Sequence, residues 1–315
     1  MKNEINKKSK DFLEYLEVDR GLSKRTVANY GFYLERFTKF AQENGVNNPN
    51  QITKELVHKY RLFLNRMGDE NENDGLKKNT QNYHLIALRG LLKHMVKNDV
   101  KTLDPGKIEL AKQDQRQVDF LDAQDMEKIL KAPLMTDAPH LIQTRDKALL
   151  ETLFSTGLRV SELAKLKKDE VNLNKEEFTV RGKGKKVRIV FLSEDARHWL
   201  KKYLEARQDI NPYMFVSHDR ANKNEEDGIT SRSIERIVQR YAKLAGIMKK
   251  VTPHTLRHSY ATDLLMNGAD IRSVQAMLGH SSIITTQVYT HITDQQLREV
   301  HKAFHGTRRK KKTKD

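Results

Sequence analysis

The chain has 315 residues, with 58 Lys and Arg against 42 Asp and Glu, and it contains no cysteine. This composition excludes disulfide scaffolds, thiolate metal sites and cysteine nucleophiles, and it is typical of a reducing compartment. The mean hydropathy is -0.75, and no apolar run approaches the ~18 residues of a bilayer span, so we expect a cytoplasmic protein without membrane insertion. The net charge of +16 indicates a polyanionic partner, nucleic acid before anionic lipid.

Residues 1–105 predict an all-helical N-terminal domain, because apolar residues recur there at helical spacing between short polar breaks. Four helices are expected, at about Asn3–Val18, from a Ser23 cap to Gln42, from a Thr53 cap to before Gly68, and from after Gly75 to residue 98. Tyr83 in the last helix is expected to pack in the core, as is Tyr241 in the second domain.

A polar segment, Ala111–Val118, follows the turn residues Asp104-Pro105-Gly106 and is dense in Gln, Asp and Lys. We interpret residues 106–118 as an interdomain linker.

Residues 119–304 predict a larger, mostly helical domain with a small antiparallel β-sheet. The runs 178–181 and 186–192 are β-like and flank Gly182–Lys185, which predicts a hairpin. Helices are expected after caps at Asp122 and Ser161, at about Gln143–Ser155, Asp195–Ala206, Ser231–Ala245, His254–Met266 and Ile271–Leu278, with last segments at Ile283–Tyr289 and Gln295–Phe304. The fold class is therefore mainly α (α+β).

Two charged segments stand outside this pattern. Residues 219–228 form a polar, acidic insert, and residues 305–315 form a basic tail, in which residues 307–315 alone supply +5 of the net charge. A basic run at a chain end is commonly solvated, and it adds non-specific contact with DNA.

Candidate functional residues all lie in the second domain, and each also has an ordinary structural interpretation. Arg159 follows a helix that ends at Gly157, and it could simply pair with Glu162. Lys183 lies at the hairpin tip, where a solvated lysine is the default.

His254 and Arg257 form a sharper pattern, because residues three apart on a helix share a face. An imidazole beside a guanidinium fork suits the oxygens of a phosphodiester. The alternative is a buried, hydrogen-bonded histidine with a structural ion pair, and His258 is closer to that alternative.

His280 follows a helix and its glycine cap, and Tyr289 lies nine residues further on. A phenol can act as a nucleophile where neighbouring groups neutralise its developing charge. Metal-binding, Walker A and dinucleotide-binding patterns do not occur in the sequence, so we expect neither a metal nor another cofactor.

These features occur in a fixed order, and together they resemble the tyrosine recombinase (phage integrase) family, in particular its Xer-type members. The resemblance covers about residues 5–305 and rests on five motifs, GLSKRTVANY (21–30), TGLRVSEL (156–163), RGKGKKVR (181–188), TPHTLRHSYAT (252–262) and MLGHSSIITTQVYTH (277–291).

The resemblance implies a SAM-like core-binding domain at the N-terminus and a recombinase catalytic domain after the linker. It implies that Arg159 and Arg257 hold the scissile phosphate and that Lys183 protonates the leaving 5′-hydroxyl. It also implies that His254 and His280 contact the phosphate and assist proton transfer. Tyr289 is implied as the nucleophile that forms a 3′-phosphotyrosyl link to DNA.

The partners implied by the resemblance are a double-stranded DNA recombination site and a tetramer on two sites, either homomeric or with a second recombinase. Whether a DNA translocase takes part is left open. Resolution of chromosome or plasmid dimers at cell division is favoured over a mobile-element integrase by the compact length. A type IB topoisomerase and a non-enzymatic DNA-binding protein are the remaining alternatives.

Overall fold

The computed structural model describes residues 3–67, 75–112, 119–182, 186–218 and 228–279. The chain divides into two compact units, Met1–Gln115 and Arg116–Asp315. Several predictions lie outside the described residues: Lys183, His280 and Tyr289, residues 113–118 of the linker, residues 219–227 of the insert, the last two predicted segments, and the basic tail.

The described residues of the first unit form helices as their regular structure, as predicted. Its helices are α1 (Glu4–Val18), α2 (Lys24–Glu43), α3 (Lys54–Arg66) and α4 (Lys78–Lys97), with single 3₁₀ turns at Pro49–Gln51 and Pro105–Lys107. The expected caps form, because the Ser23 and Thr53 side chains accept hydrogen bonds from backbone amides of the first turns of α2 and α3.

The core of this unit lies where α2 packs against α1 and α4, and it includes a buried polar contact. The Tyr60 hydroxyl is 3.0 Å from Nδ1 of His84, while Nη1 of Arg36 is 3.4 Å from Nε2 of the same ring. The prediction that Tyr83 packs in the core is wrong. Its side chain is 54% exposed and stacks on Tyr33, because it lies on the outer face of α4.

In its described residues, the second unit combines helices with one two-stranded sheet, as predicted. Its elements are α5 (Ala123–Lys131), α6 (His140–Thr156), α7 (Val160–Leu163), β1 (Glu177–Arg181), β2 (Val187–Phe191), α8 (Glu194–Ala206), α9 (Ser231–Leu244), α10 (Pro253–Met266) and α11 (Ile271–Leu278), with 3₁₀ turns at Ala132–Met135 and Lys168–Glu170.

Helix α6 is the centre of the second unit and packs against α8 and α10. It is buried on all sides from residue 144 to 153, so its charged side chains need partners. Arg145 pairs with Asp146 at 2.7 Å, and Asp146 accepts a 2.8 Å hydrogen bond from the buried Tyr241 hydroxyl. The helix begins at His140, three residues earlier than predicted, directly after Pro139.

The predicted hairpin forms, with β1 and β2 antiparallel and Val180 opposite Arg188. Val190 is buried on β2, while Val187 and Ile189 point outward. The Arg188 side chain is 8% exposed, so it lies on the same inward face as Val190.

The prediction that Ser161 caps a helix is wrong. The N-cap residue of α7 is Arg159, and its backbone amide donates a 2.9 Å hydrogen bond to the carboxylate of Glu162. This contact is the half of a capping box in which the side chain at N3 accepts from the backbone amide of the N-cap residue.

Among the described residues, no helix combines the length and the apolar character needed to cross a bilayer.

Candidate active site

The junction of α6 and α7 positions Arg159. Helix α6 ends at Gly157, which adopts the left-handed conformation with φ of 58°. A Cβ at this position would lie 2.5 Å from Cδ1 of Tyr260, so both the backbone angle and the space require glycine. The tight turn places Arg159 three residues beyond Thr156, the last residue of α6.

The N-terminal part of α10 carries His254 and Arg257. The Thr252 hydroxyl accepts a hydrogen bond from the backbone amide of Thr255, and Pro253 occupies the first helical position, two features that start a helix sharply. Arg257 is only 5% exposed. One of its Nη atoms lies 2.5 Å from the Gly157 carbonyl oxygen, which ties α10 to the end of α6.

The C-terminal end of α11 is held by three arginines that come from three different elements. Arg188 donates from Nε to the Met277 carbonyl at 3.0 Å, and Arg257 donates to the Leu278 carbonyl at 2.5 Å. Arg159 donates to the Gly279 carbonyl at 3.2 Å. Because the last carbonyls of a helix lack intrahelical partners and carry its negative pole, this end attracts guanidinium groups.

Glu162 connects two of these arginines. Its carboxylate receives 3.0 and 2.6 Å hydrogen bonds from the two Nη atoms of Arg188. Nη1 of Arg159 donates to it at 2.9 Å. Burial alone would raise the pKa of Glu162, but the hydrogen bonds and charges of Arg188 and Arg159 lower it to about 2. The carboxylate is therefore ionised at neutral pH.

His254 lies beside the two predicted phosphate-binding arginines. Its side chain is partly open to solvent, yet partial burial, followed by the positive charges of Arg257 and Arg159, lowers its pKa. The imidazole is therefore neutral at pH 7 and can accept a hydrogen bond or a proton.

His258 is half-buried on the same helix. Burial, followed by the charges of His254 and Arg257, lowers its pKa to about 4. A neutral, half-buried imidazole fits the structural role that the sequence favoured for this residue.

Of the six predicted site residues, the structure brings together Arg159, His254 and Arg257. Arg159 does pair with Glu162, and in addition it reaches the end of α11. Lys183, His280 and Tyr289 lie outside the described residues. Gly182 and Gly279, the described residues that directly precede Lys183 and His280, both lie against the Arg188 side chain.

Arg188 is the residue that the sequence analysis missed. The signal was present in the strand alternation, because positions 188 and 190 share one face of β2 and Val190 belongs to the core. An arginine on the core face of a strand needs a buried partner, and Glu162 is that partner.

With this geometry described, comparison with known proteins identifies the family. Residues 119–296 match the model of the phage integrase family, and residues 10–98 match that of the phage integrase N-terminal SAM-like domain. The chain belongs to the phage integrase family, whose members include the tyrosine recombinases.

Within this family the chain is similar to Xer-type proteins. It is 36% identical to tyrosine recombinase XerD of Listeria monocytogenes serotype 4b (strain F2365), over 96% of this chain and 99% of the relative. It is 35% identical to tyrosine recombinase XerC of Thermodesulfovibrio yellowstonii (strain ATCC 51303 / DSM 11347 / YP87), over 94% and 95% of the two chains.

A similar solved structure is the XerH site-specific recombinase bound to its difH substrate in a pre-cleavage complex. The identity is 25% and the TM-score 0.68, over 93% of this chain and 83% of that one.

Proposed function

We propose that this chain is a site-specific DNA recombinase that cuts and rejoins duplex DNA through a 3′-phosphotyrosyl intermediate. The observation that carries the proposal is the convergence of Arg159 and Arg257 at the end of α11, with a neutral His254 beside them. It occurs in a chain that matches Xer recombinases over nearly its whole length.

In the proposed cleavage step, the Tyr289 oxygen attacks the scissile phosphorus and forms a phosphotyrosyl bond to the 3′ side of the break. The bond from phosphorus to the 5′ oxygen breaks, and Lys183 gives its proton to that oxygen. Rejoining runs the same step in reverse with the 5′-hydroxyl of another strand. One phosphodiester bond is exchanged for another, so the reaction needs no ATP.

The arginines supply the charge that this step requires. A tyrosine has an ordinary pKa of about 10, so it is a weak nucleophile unless nearby cations stabilise its anion and the pentacoordinate phosphate. Arg159 and Arg257 are anchored by carbonyls at 3.2 and 2.5 Å. Because these guanidinium groups are already in place before the substrate binds, little energy is needed to reorganise them during the reaction.

The histidines have a different part in the proposal. Because the pKa of His254 is lowered, its neutral ring can take up the tyrosine proton as the phosphotyrosyl bond forms. We assign to His280 a hydrogen bond to a phosphate oxygen, since it follows Gly279, whose carbonyl Arg159 already holds.

Assembly into a tetramer on two DNA sites is also part of the proposal, with identical subunits or with a second recombinase. The second unit carries a groove of about 600 Å³ whose lining includes Phe154, Trp199 and Leu264 together with four acidic residues and two lysines. The pattern of Leu297, Val300 and Phe304, followed by a basic tail, suits such a groove on a neighbouring subunit.

For the biological role we propose resolution of chromosome or plasmid dimers in the cytoplasm, because the long matches are to Xer-named relatives. A plasmid that carries two direct copies of the site tests it. Conversion of dimers to monomers is the expected result. Relaxation of supercoils without exchanged products would favour a topoisomerase instead, and excision of a genetic element would favour an integrase.

The nucleophile is tested with Tyr289→Phe on a nicked suicide duplex. We expect loss of covalent capture and unchanged DNA binding in a gel-shift assay, because the variant removes only the attacking oxygen. Sequencing the DNA end captured by the unmodified chain would identify the target site. Captured complex from the variant would show that another residue is the nucleophile.

The general acid is tested with Lys183→Ala. Cleavage should slow by about 10²–10⁴-fold. A duplex with sulfur in place of the 5′ bridging oxygen should restore the rate, because a thiolate leaves without a proton. An unrestored rate would contradict the role of Lys183.

A further inference from the structure

Arg188 is buried beside the candidate site and donates three hydrogen bonds to two different groups. Two go to the Glu162 carboxylate, at 3.0 and 2.6 Å, and the third goes from Nε to the Met277 carbonyl at 3.0 Å. A Cβ at Gly279 would lie 2.9 Å from Cδ of Arg188. The side chain therefore packs directly against the glycine that ends α11.

The Glu162 carboxylate lies between two cations with different tasks. Arg188 binds it with both Nη atoms, whereas Arg159 contributes one Nη atom at 2.9 Å and its backbone amide. The Arg188 side chain is 8% exposed and that of Arg159 is 27% exposed. The less accessible arginine thus neutralises the carboxylate, and the more accessible one extends to the surface.

We propose that Arg188 is a positioning residue for DNA cleavage: by satisfying the charge of Glu162, it leaves the positive charge of Arg159 to the scissile phosphate. This inference rests on the proposed function. Without Arg188, the buried carboxylate would draw Arg159 into a full ion pair, and the field at the phosphate would weaken. Arg188 does not touch DNA in this scheme.

The inference predicts a rescue that a merely structural role would not produce. Arg188→Met removes one positive charge and leaves Glu162 dependent on Arg159. Adding Glu162→Gln removes the negative charge as well and restores the net charge of the site. Replacing both members of a buried ion pair is also tolerated better than removing one of them.

The experiment measures covalent capture of a nicked suicide duplex that carries the site mapped with the unmodified chain. Protein is saturating, and the temperature lies below the unfolding midpoint of every variant. We expect Arg188→Met to slow capture at least 30-fold, with the dissociation constant of the duplex within twofold of the original. The double variant with Glu162→Gln should capture at least fivefold faster than Arg188→Met.

Two further variants keep the test decisive. Arg188→Lys retains the charge but loses the bidentate contact with Glu162, so covalent capture should slow between threefold and tenfold. This result can be obtained even if Arg188→Met does not fold. Arg197→Met is the matched control, because Arg197 pairs with Glu176 at 3.3 Å elsewhere in the same unit. It should change the capture rate less than twofold.

Three results would overturn the inference: wild-type rates from both Arg188→Met and Arg188→Lys, a double variant as slow as Arg188→Met, or an equal loss from Arg197→Met. Absence of capture by the unmodified chain would instead refute the proposed function. The two failures are therefore distinguishable.

Discussion

Gly157→Ala tests whether the turn before Arg159 depends on the close contact with Tyr260. Gly157 has φ of +58°, and an added Cβ would lie 2.5 Å from Cδ1 and 2.8 Å from Cε1 of that ring. Real Cβ atoms do not approach carbon this closely, so the ring or the backbone must move. The Gly157 carbonyl also accepts from Arg257, so the shift would reach the candidate site.

The expected loss in the free energy of unfolding of Gly157→Ala has two parts. An alanine in the left-handed conformation costs about 1–2 kcal/mol, and forcing extra volume into a packed site costs about 1–3 kcal/mol. The sum is about 2–5 kcal/mol. Gly246 provides a matched control in the same unit, because it has φ of +72° and nothing within 4 Å of its added Cβ. Gly246→Ala should therefore cost only about 1–2 kcal/mol.

Urea denaturation followed by tryptophan fluorescence measures both variants. Trp199 is the single tryptophan of the chain and belongs to the second unit, so its signal reports on that unit. Gly157→Ala should lower the midpoint more than Gly246→Ala at an unchanged m value. Equal losses from the two variants would refute the argument from space. If the Tyr260 ring is what clashes with the added Cβ, then in a Tyr260→Leu background the two glycine substitutions should lower the free energy of unfolding by similar amounts.

Three other predictions follow from buried charges and from the net charge. Asp146→Asn leaves the Arg145 guanidinium, paired at 2.7 Å, without its counter-ion, so Trp199 fluorescence should report a loss of about 3–5 kcal/mol. Burial and the charge of Arg36 lower the pKa of His84 from 6.5 to about 4, so the folded state binds this proton less readily than the unfolded state. Acidification from pH 6.5 to 4 should therefore cost the first unit about 3 kcal/mol. Hydrogen exchange in α4 should detect this cost, and His84→Gln should remove it. Deleting residues 307–315, which contain six basic residues, should lower the salt slope of DNA binding by at most about 5, as measured by gel shift at several salt concentrations.

Most of the fold could be predicted from periodicity and caps, because an amphipathic helix in a small domain has one apolar face and few alternatives. The errors arose at two positions where a different contact replaced the expected one. Ser161 has the hydroxyl of a typical cap, but Glu162 provides the cap interaction. Tyr83 is aromatic, but it lies on an outer face and stacks on another exposed ring. The stacking of Tyr83 on Tyr33 has no signature in the neighbouring residues, whereas the Glu162 contact is local and belongs to a helix that begins earlier than Ser161 indicates.

The candidate site was predictable for a different reason. Its residues could be named only because their order resembles a family, since a single arginine after a glycine has no specific meaning. What the sequence could not provide is how the cations are held apart. The contacts of Arg188 and Arg257 with the end of α11 join residues 89 and 21 positions apart. Such pairings depend on how the helices and the hairpin pack.

The end of α11 also brings three arginine side chains close together. Arg159, Arg188 and Arg257 repel one another, and among the described residues one carboxylate, Glu162, contacts two of them. Carbonyl dipoles at the end of α11 also face these arginines, and a dipole is weaker than a full charge. A scissile phosphate would add negative charge beside these arginines, so a bound DNA site should stabilise the second unit more strongly than the first. The stability of the site and its affinity for the phosphate thus have one electrostatic origin.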